Sequence, residues 1–431
     1  MNRVMKGACA GILVLVYAAC VDALGPGNQA NGRISIVNDH AALAANVTYF
    51  STPVIVDSAG VGYPSAPAPA SSAPVMRGAA SPAAPAAPAA FSLTLVAEVA
   101  PPVVGGQTLQ ATSVSIVGQR AVVSYNMRGN PYLGAIDVFD LSNNNVPTLT
   151  SRATFQNTDV SAVFASGTNV YLAEATGDTG FVSPAVVENM QLVGNNLVLA
   201  GSRRLALSSF AATSAVTSGT KVYATSGDAG SLFVIDPVLF TVTNSISLHD
   251  ARWVDVAGGK VAVVQGTPGT LAVYNETNMT PVGTSPWSFT GAGVAQSKST
   301  VQLVGGKAFI GAGTGGVQIL SASTGKVVGS VARPNPATLT PPLADSVVVT
   351  NAASVDADLL FISNGEAGVY VAQGSQAFSA TGSETTQTIT MLGKLRFANL
   401  QSVNHVAYSS QDQYLIIAAG LGGLKMVKVN R

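Results

Sequence analysis

The chain has 431 residues, with 21 basic and 21 acidic side chains and no formal net charge. Zero charge leaves no electrostatic footprint for nucleic acid or for an anionic bilayer surface, and 47% hydrophobic content excludes disorder throughout. Only 10% of residues are charged, against about 25% in an ordinary globular domain.

The chain starts with Arg3 and Lys6 flanking a short positive segment, and residues 7–16 are apolar. About ten apolar residues are too few to span a bilayer permanently, so this start reads as a secretory signal. Tyr17-Ala18-Ala19-Cys20 follows and resembles the lipobox of bacterial lipoproteins, with Tyr17 standing where that pattern prefers Leu. The resemblance implies a signal peptide over 1–19, acylation of Cys20 and attachment to a membrane through the lipid. Val21 then implies sorting to the outer membrane in a Gram-negative host. Ordinary cleavage after Ala23 is the alternative. Cys9 lies inside the signal and no cysteine follows Cys20, so the exported chain has no disulfide.

Residues 20–63 read as a tether holding short β-rich runs at 33–37, 47–50 and 54–56, too few for an independent sheet. They would dock on the main domain or on a partner. Residues 64–90 contain seven prolines and twelve alanines, a composition that favours extended polyproline II, and read as a linker able to reach roughly 80 Å.

From residue 91 onward short β runs alternate with Gly, Asn, Asp and Ser turns, and no helical period appears. A unit made of an apolar pair, a two-glycine turn and another strand recurs. It is clearest at Phe309-Ile310-Gly311-Ala312-Gly313-Thr314-Gly315-Gly316, and again from Phe361, Ile416 and Tyr223, with looser copies near Val123, Tyr171 and Val263. The mean spacing is about 49 residues, the period of four-stranded propeller blades. The expected fold is all-β, a β-propeller over 91–431 with seven blades of four antiparallel strands. Six or eight blades stay open, because residues 185–210 are irregular. The last blade is one strand short, and residues 92–99 at the start of the domain would complete it and remove an open edge.

Lys221-Val222-Tyr223-Ala224-Thr225-Ser226-Gly227 with Leu232-Phe233-Val234-Ile235-Asp236 resembles the YVTN-type propeller repeat. Gly306-Lys307-Ala308-Phe309-Ile310-Gly311 with Gly316-Val317-Gln318-Ile319-Leu320 resembles the related LVIVD repeat. The resemblance runs over about 112–431. It implies an exported or cell-surface propeller and transfers no catalytic residue.

Chemistry-bearing residues are few. His40, His249 and His405 are far apart, and no P-loop, haem-attachment or serine-hydrolase motif occurs. The most suggestive cluster is His249-Asp250-Ala251-Arg252-Trp253, placed between one blade's outer strand and the next blade's inner strand. The turns bearing Asp178, Asp228 and Glu366 belong on the same rim. Convergent carboxylates there would suit Ca²⁺, a hard cation wanting oxygen ligands; the plainer reading is that such aspartates bond their own turn backbone. His405 would face the central channel, and Arg203-Arg204 reads as a solvated edge.

The sequence points to a cell-envelope propeller lipoprotein acting as a non-catalytic binding or scaffolding module for an envelope protein or glycan. The alternatives are an outer-membrane assembly factor and a Ca²⁺-assisted, lactonase-like hydrolase.

Overall fold

The structure, a computed structural model, describes residues 27–54, 91–143, 146–295, 297–397 and 401–430. The signal segment, Cys20 and residues 64–90 lie outside them. The described residues form a seven-bladed β-propeller of four-stranded antiparallel blades. In chain order the blades cover 110–156, 158–206, 214–247, 251–288, 301–331, 352–395 and 405–430. All seven repeat positions read from the sequence fall in the second strand of a blade, from Arg120–Asn126 in blade 1 to Tyr414–Ala418 in blade 7. The irregular 185–210 stretch holds no extra sheet. Its strands Ala185–Val193 and Asn196–Ala206 are the third and fourth of blade 2.

Burial explains the ring. Alternating apolar residues on both faces of each blade meet those of its neighbours, giving seven buried clusters, one in each gap between consecutive blades. Each blade is thus a two-faced apolar slab that cannot bury itself alone.

Ser92–Val99 supplies the fourth strand of blade 7, pairing with Leu424–Asn430 and bringing Lys425 opposite Glu98 with an ion pair of 2.8 Å. The repeated second glycine shows why this strand fits. Gly316, Gly368 and Gly423 have φ of 73°, 87° and 70°. A Cβ on each would strike the carbonyl of Val331, Leu395 and Val99 respectively, the last residue of the blade's fourth strand. Only glycine tolerates both that φ and that approach.

The 27–54 segment docks on the ring. Ile34–Val37 pairs outside blade 1 and Val47–Val54 pairs outside Ser92–Val99 in blade 7. Between them the helix His40–Ala44, capped by Asp39, buries Leu43 in the core between blades 7 and 1. The strap reaches blade 2 as well: Arg33 pairs with Glu188 at 2.7 Å, and the Leu199 amide donates to Gln29. It therefore crosses three blades and covers the closure seam, adding an outer strand to blade 1 and to blade 7. Val54 pairs with Leu93 in the same sheet.

Candidate functional site

The innermost strands begin on one rim, and the turns between second and third strands lie on the same side. Residues from blades 3, 4 and 5 enclose a cavity of about 620 Å³ there. Its wall includes Asp228, His249, Asp250, Arg252 and Trp253. Five of the eight side chains singled out from the sequence on the rim and channel are therefore gathered in one place.

Local chemistry fixes the wall. Asp250 has φ 50°, a left-handed turn residue that Asp tolerates, and it aims its carboxylate back at Arg252. The guanidinium donates to both Asp250 oxygens at 3.0 and 2.8 Å. Its Nη1 donates to the carbonyls of Ala292, Val294 and Ser297 at 2.8, 2.9 and 3.1 Å. Arg252 is thus a fastener, holding the loop that forms the blade 5 side of the cavity. His249 Nδ1 lies 3.1 Å from Asp228, and both are exposed at the cavity mouth.

Gly266 packs flat against that guanidinium, and a Cβ there would overlap Arg252 Nε and Cζ. Gly266→Ala is expected to expel Arg252, release three carbonyls and cost about 2 kcal/mol. The measurements are the urea midpoint and hydrogen exchange. Protection should fall around 297–300 and stay unchanged in blades 1 and 2; unchanged protection at 297–300 would show that Arg252 does not hold the loop.

The floor of the cavity is a brace across the channel mouth. Trp253 of blade 4 stacks on His405 of blade 7, centroids 5.3 Å apart and planes at 25°. Lys298, leading into blade 5, reaches over to blade 2 and donates from Nζ to the Ser161 carbonyl at 2.8 Å. Its ammonium stands 5.9 Å from the Trp253 ring. Beneath the brace lies a separate channel cavity of about 220 Å³, lined by Trp253, His405 and Asp255. His405 does face the channel, and its Nδ1 accepts from the Val114 amide at 3.4 Å. Burial, then the Lys298 charge, push its pKa down to about 3, so the ring is neutral at physiological pH. Burial alone lowers Lys298 to about 8 and raises the Asp255 carboxyl above its usual range.

The remaining rim carboxylates do not join this site. Asp178 accepts from the Gly180 amide at 3.0 Å and from Arg204 at 2.9 Å, which lower its pKa in that order. Glu366 sits in the blade 6 turn, its backbone amide bound to Val347; burial raises its carboxyl against the opposing pull of Arg396. Among the described residues no three His, Cys, Asp or Glu side chains gather to hold a metal ion.

Arg204 corrects the solvated-edge reading. It lies 4.4 Å from the Phe181 ring, at 3.8 Å from Glu174 and 3.6 Å from Glu188, both fully buried. Burial, then the Glu188 carboxylate, raise Glu174 well above the usual carboxylate range. Lys298, the residue that sequence reasoning missed, sits in a Ser-Lys-Ser-Thr run with no distinguishing pattern.

No family model and no curated protein matches the chain. Among solved structures it is similar to the computationally designed Ika8 protein, at 12% identity over 75% of this chain and 98% of that one, TM-score 0.45. It is also similar to BamB from Moraxella catarrhalis, at 11% identity over 80% of this chain and 93% of that one, TM-score 0.46. At these scores the likeness carries nothing about ligand or partner.

Proposed function

We propose that the protein is a binding or scaffolding propeller of the cell envelope, tethered through Cys20, that takes a protein or glycan partner in the rim cavity between blades 3, 4 and 5. The observation that carries this reading is the state of the cavity wall. Arg252 is spent on Asp250 and three carbonyls, and Asp228 faces His249. Arg252, occupied in this way, holds the wall as a preformed recognition surface. Phe210, 65% exposed on the same wall, offers an aromatic anchor at the mouth.

One observation favours a second reading, the assembly factor. The outer strand of blade 3, Val242–Ser247, is exposed along nearly its whole length, beside Val238 and Leu239 at 78% and 73% exposure. A free edge of this kind is suited to adding a partner's strand.

Site-specific photocrosslinking separates the two. Benzoylphenylalanine at Phe210 should capture a defined envelope partner, identified by mass spectrometry, and capture should fall in the Cys20→Ala background. Capture only from Val242 would move the function to the sheet edge. No specific capture from either position would overturn the binding reading.

A further inference from the structure

The rim cavity and the channel cavity beneath it share Trp253, and the Trp253–His405 stack and the Lys298 arm stand where the two meet. A chain end that reaches this floor meets the aromatic stack and the Lys298 ammonium together, which suits a charged terminus.

Lys298 makes the floor cationic. Its Nζ has one carbonyl partner, Ser161 at 2.8 Å, and no ion pair with any carboxylate among the described residues. The two aspartates of the cavity wall are engaged elsewhere, Asp250 with Arg252 and Asp228 with His249. A half-buried ammonium without a counter-charge carries a desolvation cost that an anionic ligand would offset. A single ammonium balances one carboxylate; a phosphate dianion calls for more cations or a guanidinium fork, and here the one arginine of the wall is used up.

The rest of the wall argues for the body of the ligand. Trp253 and Phe210 offer aromatic faces and Thr213, Thr267 and Ser297 offer hydroxyls. The planar acceptors that would hold a ring of sugar hydroxyls are tied to Arg252 and His249. A peptide with an apolar last residue fits this balance better than a glycan. Resting on the binding reading above, we propose that the cavity is a receptor for the free C-terminus of an extended polypeptide, its α-carboxylate paired with Lys298 Nζ and its last side chain against Trp253. Recognition of a terminal carboxylate is an established mode of peptide binding.

The test uses N-immobilised random octapeptides with free C-termini and the same peptides as amides, probed with the exported protein. Selected peptides are titrated against intrinsic fluorescence in a Trp287→Phe background, which leaves Trp253 as the reporter. Uronic-acid oligosaccharides form a parallel arm. Amidation should weaken binding at least tenfold, Lys298→Met should weaken it as much, and amidation should cost nothing further in that variant. Lys298→Arg should retain most of the affinity, which separates loss of charge from loss of fold. Since burial holds Lys298 near 8, affinity should be level below that pH and fall about tenfold per unit above it. Acid and amide peptides binding equally would overturn the carboxylate assignment and leave the binding module standing. Uronic oligosaccharides binding where peptides do not would overturn the peptide assignment in favour of an acidic glycan. No response from Trp253 to any probe would overturn both this inference and the rim-cavity reading.

Discussion

Lys298→Met is expected to stabilise the folded protein at pH 7 by about 2 kcal/mol, the reverse of the usual effect of a core-facing substitution. Burial lowers the Lys298 pKa from 10.5 to about 8, and each unit corresponds to about 1.4 kcal/mol, so holding the ammonium in place costs about 3 kcal/mol. Losing the hydrogen bond to the Ser161 carbonyl gives back about 1 kcal/mol. Between pH 8 and 10.5 the unfolded chain keeps a proton that the folded protein has released. Stability of the unmodified protein should therefore rise with pH across that window, and this rise should vanish in the methionine variant. Urea midpoints at pH 7, 9 and 10 measure it. A methionine variant no more stable at pH 7 would mean that the ammonium is already compensated in the empty cavity. A residue kept at such a cost fits a binding role, where sequences trade stability for function.

Asp137→Ala should be the most damaging single change, at about 3–5 kcal/mol, because it strands a buried charge. Asp137 is fully buried and holds Arg152 through two bonds of 2.7 Å, while the Tyr125 hydroxyl donates to it at 2.9 Å. Arg152 also donates to Asn46 at 3.1 Å, so the damage should reach the strap. Hydrogen exchange at Ile34–Val37 should accelerate together with the fall in urea midpoint. Asp137→Leu with Arg152→Met should recover most of the loss, since replacing both charges removes the stranded one. A cost below about 1 kcal/mol for Asp137→Ala would show that Arg152 finds water instead.

Much of the ring could be read from the residues because turn geometry is local. Gly316, Gly368 and Gly423 recur since their φ and their contact with a neighbouring carbonyl admit nothing larger, and the spacing of the seven second-strand copies counts the blades. The closing role of residues 92–99 followed from one missing strand. Part of the rim cavity was readable for the same reason: Asp228, His249 and Asp250 occupy turns whose side of the ring is set by strand order. What stayed hidden depends on partners distant in sequence. Arg33 meets Glu188 across 155 positions, and Arg204 looks solvated until Glu174, Glu188 and Phe181 surround it. Lys298 becomes a floor only because blade 2 lies across the channel from blade 5. Alternation says which face of a strand is apolar; it does not say that a strap will cover the edge.

The strap changes how such a ring could be moored. With a lipid on Cys20, six residues separate the anchor from Gly27, at most about 25 Å of extended chain. Val54 and Leu93, on either side of the segment that holds the proline-rich stretch, are paired in blade 7, so the leash is counted from Cys20 to Gly27. The propeller would ride close to the bilayer on a short leash, held at the edge where blades 7, 1 and 2 meet. In a seven-membered ring blades 4 and 5 stand diametrically across from blade 1, so the mouth of the cavity would lie on the side farthest from its mooring.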